Sequence, residues 1–509
     1  MTSRRRLLRL AGLAGLATVV PAAALAGHVW VGAGRGNVGR VRFDRPLAIP
    51  PVAEGRRDDA GRMVHELTLR TGTTELLPGR TTGTWGVNGA YLGPTLRMRR
   101  GDQVAPLVRN ALPEATTLHW HGMELPAAAD GGPHQLVPPG GRWQPSWRVD
   151  QPAATLWYHP HPHGATRHHV HRGLAGLLLV DDGRAAGLLP ERYGVDDVPV
   201  VLQDRTVRRD GSTDTDGIDF AGIDIVGLLG EDVFVNGTWG PVLRVTSERV
   251  RLRVLNASNA RVYDLALADG RSFHVVAADA GLLPAPVETD RVLLTPGERV
   301  ELLVAVRPGE RLLLLSRPPE LGANVLYDRL AGGDDEFHLL LLAADERLTP
   351  SPPVPAALPG APPVSAPPPG RPDRHFELGD FTINGRTADL GRIDFAVPLG
   401  TTERWRISNT QEVPHNFHVH NAAFTVSGTS GGPVPPELSG RKDTVFVPPG
   451  AEVTLLVAFG QHADPTRPYM FHCHLLAHED AGMMGQYVVV PPGTEDQVSP
   501  THPRPHAHP

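Results

Sequence analysis

The segment Phe471-His472-Cys473-His474-Leu475-Leu476-Ala477-His478, with Met483 close behind, gathers three imidazoles, a thioether and the only thiol among 509 residues. Two imidazoles and a thiolate in one plane, with a weakly held axial thioether, are the donors of a blue-copper centre. Read as a strand, the segment turns Cys473 to one face and its neighbours His472 and His474 to the other. The thiolate then holds one copper and the flanking imidazoles serve a separate metal cluster, one residue away along the backbone. That layout suits electron transfer. His415 and His478 complete the sulfur-bearing set with Met483, and Met484 competes for the axial place.

Four His-x-His pairs punctuate the chain: His119/His121, His159/His161, His418/His420 and His472/His474. With 24 histidines, chance alone produces roughly one such pair, so their number and placement carry the argument. Side chains two apart on a strand share a face, with backbones about 6.5 Å apart, and the two rings of a pair can reach neighbouring metals. Eight imidazoles converging from two domains suit a small metal cluster at their interface. A structural zinc site needs only four ligands and favours thiolates. His163, His168, His169 and His171 read as groups behind the ligands or at the surface, and Glu412, near His415, as an exposed loop charge with substrate contact as the alternative.

The elements that must position these donors recur. Gly101, Asn110 and His119 are separated by two steps of nine residues, as are Gly400, Asn409 and His418. Pro138-Pro139-Gly140 follows the first set and Pro448-Pro449-Gly450 the last. A middle copy carries Asn256 and Thr295-Pro296-Gly297, with Leu265 and Leu267 at the places where the same count puts histidines in the outer copies. With short alternating or apolar runs between turn residues, the expected architecture is all-β, three Greek-key β-sandwiches. Their expected spans are 45–185, 186–345 and 374–495, with metal ligands in the first and third and a packed, metal-free spacer between them. A proline-rich connector covers 346–373. The tail 496–509, with His502, His506 and His508, reads as disordered and solvated, with a metal-binding tract as the alternative.

Composition agrees: 40% apolar residues, 20% charged, 56 Gly and 51 Pro fit many short strands and turns. A formal charge of -6 argues against nucleic acid as a partner. The single lysine, Lys442, reflects arginine-biased codon usage, and a lone cysteine excludes an internal disulfide. Residues 1–26 open with Ser3-Arg4-Arg5-Arg6, run through Ala and Leu, and end on Ala24-Leu25-Ala26. This is the pattern of a twin-arginine export signal, with a general secretory signal or an uncleaved anchor as the alternative. It directs the chain to the periplasm, the cell envelope or the exterior. After cleavage no other stretch is long and apolar enough to span a bilayer.

With His119-Trp120-His121-Gly122, Trp157-Tyr158-His159-Pro160-His161, His415-Asn416-Phe417-His418-Val419-His420 and His472-Cys473-His474-Leu475-Leu476-Ala477-His478 in order, the chain resembles the three-domain multicopper oxidases. Within them it is similar to the bacterial laccase, cuprous oxidase and bilirubin oxidase branch. The resemblance implies cupredoxin-like domains and four copper ions, one type 1, one type 2 and a type 3 pair. It assigns His119 and His418 to type 2 copper, His121, His159 and His474 to one type 3 copper, and His161, His420 and His472 to the other. Glu479 and Asp130 fall where the family places proton donors, and Cys473 becomes the conduit for electrons.

The implied reaction takes single electrons from a small reducing substrate, phenols or aromatic amines foremost, and reduces dioxygen to water. The family's cuprous oxidases carry a methionine-rich insertion. Here only seven methionines occur, and none clusters outside Met483-Met484, which disfavours that activity. Two rival readings remain: an enzyme like copper nitrite reductase, which has no use for a type 3 pair, and a copper-free cupredoxin scaffold binding envelope partners, which has no use for the ligands.

Overall fold

A computed structural model describes residues 34–213, 225–368, 370 and 373–502. The expected export signal, His506 and His508 lie outside the described residues. The regular structure of the described chain is almost wholly strand, arranged around three large hydrophobic cores. Alternation drives the sheets that face solvent on one side. In Pro241–Ser247, Leu243 and Val245 point inward while Arg244 points out. In Thr401–Asn409, Trp405 and Ile407 face the third core and Arg406 faces solvent. Asp197–Arg205 is buried along its whole length, as expected of a strand covered on both faces.

In the first repeat, strands His119–His121, Ala154–His159, Gly176–Asp181 and Leu96–Arg99 form one four-stranded sheet. His121 pairs with Trp157 and His119 with His159, so two of the histidine pairs enter from adjacent strands. The third repeat mirrors this arrangement. His415–Val419 lies between Asp464–His472 and Thr444–Val447, with His418 opposite His472. The middle repeat has a seven-stranded and a six-stranded sheet. Arg45–Pro46 pairs in parallel with Pro241–Val242, so the chain at 45 joins the middle sheet rather than the first sandwich. The proline-rich connector is fastened on both sides: Leu358 N donates to Pro284 O at 2.8 Å and Val364 N to Thr425 Oγ1 at 2.9 Å.

The threefold repeat extends to individual hydrogen bonds. Asn110 donates to Glu114 O and Val137 O and accepts from Leu112 N. Asn409 donates to Val413 O and Val447 O and accepts from Gln411 N. Asn256 donates to Arg261 O and Leu294 O and accepts from Ser258 N. In each case the second carbonyl directly precedes the x-Pro-Gly turn. A second threefold marker escapes a reading by histidine spacing. Asn88, Asn236 and Asn384, each before a glycine, sit at φ 59, 50 and 54°, a left-handed conformation that asparagine tolerates. Each ties down the strand before it, accepting from Thr68, Val201 or Glu377 and donating to the carbonyl two residues earlier.

One expectation is corrected. Asn110 and Asn409 reach a carbonyl four residues on, whereas Asn256 reaches the fifth, Arg261. The middle loop is therefore one residue longer, and counting nine residues from Asn256 misplaces the alignment by one. Leu265 and Leu267 lie in the middle core with Tyr263. Ala266 and Ala268 take the places that His119 and His121 hold in the first repeat. Among the described residues no helix is long and apolar enough to cross a membrane.

Candidate metal centre

The strand Asp464–His472 ends at His472, and Cys473 and His474 continue beyond its last paired residue. The short helix Leu476–Asp480 then folds the chain back and returns His478 to the sulfur. Cys473 Sγ lies 3.6 Å from His415 Nδ1 and 3.7 Å from His478 Nδ1, and the two nitrogens are 3.0 Å apart. One ion held at about 2.0–2.3 Å from each donor bridges such separations. Met483 shares the hydrophobic core with Cys473 and accepts its backbone N–H at 3.1 Å. Met484 faces instead a cavity lined by Phe376, Phe395 and Phe471. Burial pushes the Cys473 thiol up to about 12, so it carries a proton at neutral pH unless a cation replaces that proton. Burial, followed by contact with His478, holds His415 well below 6.5, and burial brings His478 to about 4. Both rings are neutral donors.

The eight histidines of the four His-x-His pairs meet between the first and third repeats, all buried. Most are oriented by a hydrogen bond from one ring nitrogen. His119 Nδ1 donates to Asp130 O, His418 Nδ1 to Asp443 O, His159 Nδ1 to Pro160 O and His472 Nδ1 to Cys473 O. The acceptors are carbonyls, so these rings carry the proton on Nδ1 and aim an Nε2 lone pair inward. His119 Nε2, His159 Nε2 and His418 Nε2 are buried without a partner among the described residues, as are both ring nitrogens of His474. His161 Nε2 and His420 Nε2 each lie 3.2 Å from His472 Nε2. His420 Nδ1 is taken by Asp130 Oδ2 at 2.8 Å. Lone pairs converging in this way repel one another unless a cation sits among them, and this donor set fits copper. His121 is the exception: its Nε2 faces Asp443 Oδ1 at 3.1 Å and its Nδ1 is unpartnered.

The donors fall into groups whose ligand atoms lie within 4.8 Å of one another: His161, His420 and His472; His119, His121 and His159; and His119, His418 and His420. The His474 ring is 5.0 Å from that of His121 and 5.3 Å from that of His159. Burial first, then the neighbouring rings, drives His121, His159, His161, His418 and His472 well below 6.5, with His420 at about 4 and His474 at about 3. Neutral imidazoles are what metal ligation requires. His121, His418 and Asp443 also lie close enough to share an ion. Both Asp443 oxygens, however, are committed to Arg299, at 2.7 and 2.6 Å.

The two carboxylates at the cluster differ. Glu479 lies 3.3 Å from His161 Nδ1 and 3.4 Å from His472 Nδ1, and neither of its oxygens has a hydrogen-bond partner among the described residues. Burial, aided by Asp480, raises it well above the usual carboxylate range, which favours its protonated form. Burial also acts to raise Asp130, but His420 and His119 outweigh it and hold the group below its ordinary value. Asp130 is an anion.

Other histidines go elsewhere. His169 is fixed between Thr116 and Glu114, His171 is buried in the helix Thr166–Arg172, His168 packs on Trp85, and His163 lines an open cleft with Arg386 and Asp389. Glu412 is exposed and accepts from Asn324 at 2.6 Å. The tail is docked at His502, contrary to a solvated reading. Its N donates to Gly391 O at 2.8 Å, and its ring packs 4.7 Å from that of His134.

Sequence reasoning did not single out Asn416, Trp157, Asp443 or Arg299. Asn416 Oδ1 accepts from His474 N at 2.6 Å and sits 3.6 Å from Cys473 Sγ, while its amide donates to Pro296 O at 2.8 Å. Trp157 stacks on His159 at 4.1 Å. Asn416 and Trp157 lie inside the histidine motifs, where proximity was the available signal. Nothing local marks Asp443 or Arg299.

Three family models described as multicopper oxidase match residues 68–185, 212–310 and 362–493. The cell division protein FtsP of Salmonella typhimurium is 35% identical, over 96% of this chain and 99% of that protein. A multicopper oxidase of Staphylococcus haemolyticus is 34% identical, over 87% of this chain and 92% of its own length. Among solved structures, a laccase from Pediococcus acidilactici superposes with a TM-score of 0.78 at 35% identity, covering 88% of this chain and 94% of that one.

Proposed function

Starting from this chain's membership of the multicopper oxidase family, we propose that it is a laccase-like oxidase. It takes single electrons from phenols or aromatic amines and delivers them to dioxygen. His415, Cys473, His478 and Met483 hold type 1 copper. His119 and His418 hold type 2 copper, and His121, His159, His474 and His161, His420, His472 hold the type 3 pair. The observation that carries this reading is the set of inward-facing, buried and unpartnered imidazole nitrogens, beside a cysteine that burial keeps protonated in the absence of metal. When bound, copper supplies one-electron acceptance at the sulfur site and pooling of four electrons for the reduction of dioxygen to two waters.

The protein's own residues supply the rest. Cys473 joins the two sites covalently, because its neighbours His472 and His474 both belong to the cluster. Asn416 fixes this crossing by accepting from His474 N. Glu479 holds a proton within reach of His161 and His472 and is placed to release it as oxygen is reduced. Asp130, as an anion, orients His420 and through its carbonyl His119. Export and residence in the envelope or outside the cell follow from the N-terminal pattern and belong to the same proposal.

The likeness to cell division proteins favours a second reading, a copper-independent scaffold for envelope partners. A scaffold has no need of twelve retained donors. Copper reconstitution of the purified protein separates the two: the oxidase binds four ions, turns blue with a near-ultraviolet shoulder, and consumes oxygen with a phenol or an aromatic amine. A colourless protein that takes up no copper would sink the oxidase reading and leave the scaffold.

A further inference from the structure

A middle repeat without ligands need only fill space between its neighbours, yet it sends Arg299 to the back of the cluster. The guanidinium is fully buried and bonded to all three repeats. Nε donates to Thr155 O of the first at 3.0 Å; Nη1 and Nη2 donate to Gly297 O and Asp279 O of the middle at 3.1 and 2.8 Å. The same two nitrogens grip Asp443 of the third repeat with a planar fork. Asp443 Oδ1 accepts from His121 Nε2 and from Thr444 Oγ1, and its backbone carbonyl accepts from His418 Nδ1. Gly122, at φ 84°, is shaped to this pair: a Cβ there would lie 2.6 Å from both Arg299 Nη2 and Asp443 Oδ2.

This arrangement accounts for His121, whose Nε2 is taken by Asp443 and whose Nδ1 is left for the cluster. Which nitrogen an imidazole presents is set by the hydrogen bond made at the other. We propose that Arg299 is a positioning residue for the trinuclear site: it locks the Asp443 carboxylate, which holds His121 with its proton on Nε2 and its Nδ1 aimed at the cluster. The inference rests on the copper reading above. Lysine cannot replace the fork, because a single ammonium cannot span two carboxylate oxygens and two carbonyls in one plane. Asparagine at 443 breaks the paired fork: with its oxygen in the Oδ1 place its amide opposes Arg299 Nη2, and with its oxygen in the Oδ2 place its amide opposes both Nη1 and His121. The first orientation loosens the lock on His121, and the second makes His121 accept at Nε2 and carry its proton on Nδ1, where the copper should be.

The test uses the copper-loaded full-length protein, with wild type, Arg299→Lys and Asp443→Asn titrated against a chelator. A wild type that fails to bind four coppers counts against the oxidase reading and not against Arg299. Given a loaded wild type, both variants should keep the blue absorption at wild-type intensity while losing the near-ultraviolet shoulder, with cluster copper released at about 10–100-fold weaker chelation. Retention of both absorptions in both variants overturns the proposal. Parallel loss of both overturns it too, because Arg299 would then hold only the fold.

Discussion

The middle repeat and the outer two are the same construction put to different uses. Each is pinned by an asparagine that bonds the turn before its x-Pro-Gly corner and by a left-handed Asn-Gly pair that ties down the preceding strand. They part at the strand where the first repeat presents His119 and His121 and the middle presents Ala266 and Ala268. Scaffold and ligand are thus separable: the hydrogen bonds that shape the sandwich persist where the metal chemistry does not. Losing its ligands has not made the middle repeat a passive spacer. Its Thr295–Arg299 segment touches Asn416, His474 and Asp443, all of which adjoin the donors contributed by its neighbours.

The largest effect separating the repeats is expected at Glu479, a feature of the third repeat. Burial, with Asp480 beside it, raises this carboxyl well above the usual carboxylate range and favours its protonated form. Glu479→Gln preserves shape and neutrality but has no proton to give, so turnover should fall by about 100-fold while copper content and the blue absorption stay unchanged. The sign with pH follows from the raised value. The donor is competent below its folded pKa, and the rate should decline as pH rises through it; in the glutamine variant that alkaline limb should disappear. A variant with wild-type turnover would remove Glu479 from the proton path.

A smaller effect tests whether the shared scaffold is equivalent in all three copies. Asn110→Ala, Asn256→Ala and Asn409→Ala each delete the same three hydrogen bonds and leave two carbonyls unsatisfied. Each should cost about 2–4 kcal/mol of stability, read as a drop in thermal midpoint of the copper-free protein. If Asn256→Ala cost a fraction of the other two, the middle copy would not depend on this bond set, and the equivalence would fail.

These bonds also show what the sequence discloses. The outer repeats were legible because nine-residue steps and histidine pairs coincide in both, and alternation in segments such as Pro241–Ser247 reads directly as strand. The middle alignment slipped by one residue because two leucines look like a plausible substitution for two histidines. Only the bond from Asn256 to Arg261, one carbonyl further along, reveals the longer loop. Arg299 and Asp443 were illegible for a different reason. Their role arises where three repeats meet, 144 residues apart in the chain, and neither alternation nor motif spacing carries information about such a meeting. The three Asn-Gly corners were present in the letters and went unread, because short turn motifs are common unless their threefold spacing is noticed.

The smallest effect is expected at Phe381, where the third repeat departs from the other two. Three residues before the Asn-Gly corner the first repeat has Trp85 and the middle Val233, both in ordinary strand conformation and buried. Phe381 instead sits at φ 52°, is 40% exposed, and sets its ring edge-on to His478 at 5.2 Å. A bulky residue in the left-handed region costs about 1–2 kcal/mol, and an aromatic contact of this kind returns about 0.5–1.5 kcal/mol. The two nearly cancel. Phe381→Gly should therefore change stability by less than about 1 kcal/mol while exposing the His478 ring, which on the proposed oxidase reading is a ligand close to where a reducing substrate would dock. A shift in KM for aromatic reductants with an unchanged midpoint would show that this residue acts on substrate access. A rise in midpoint with KM unaltered would instead mark the ring as strain without function.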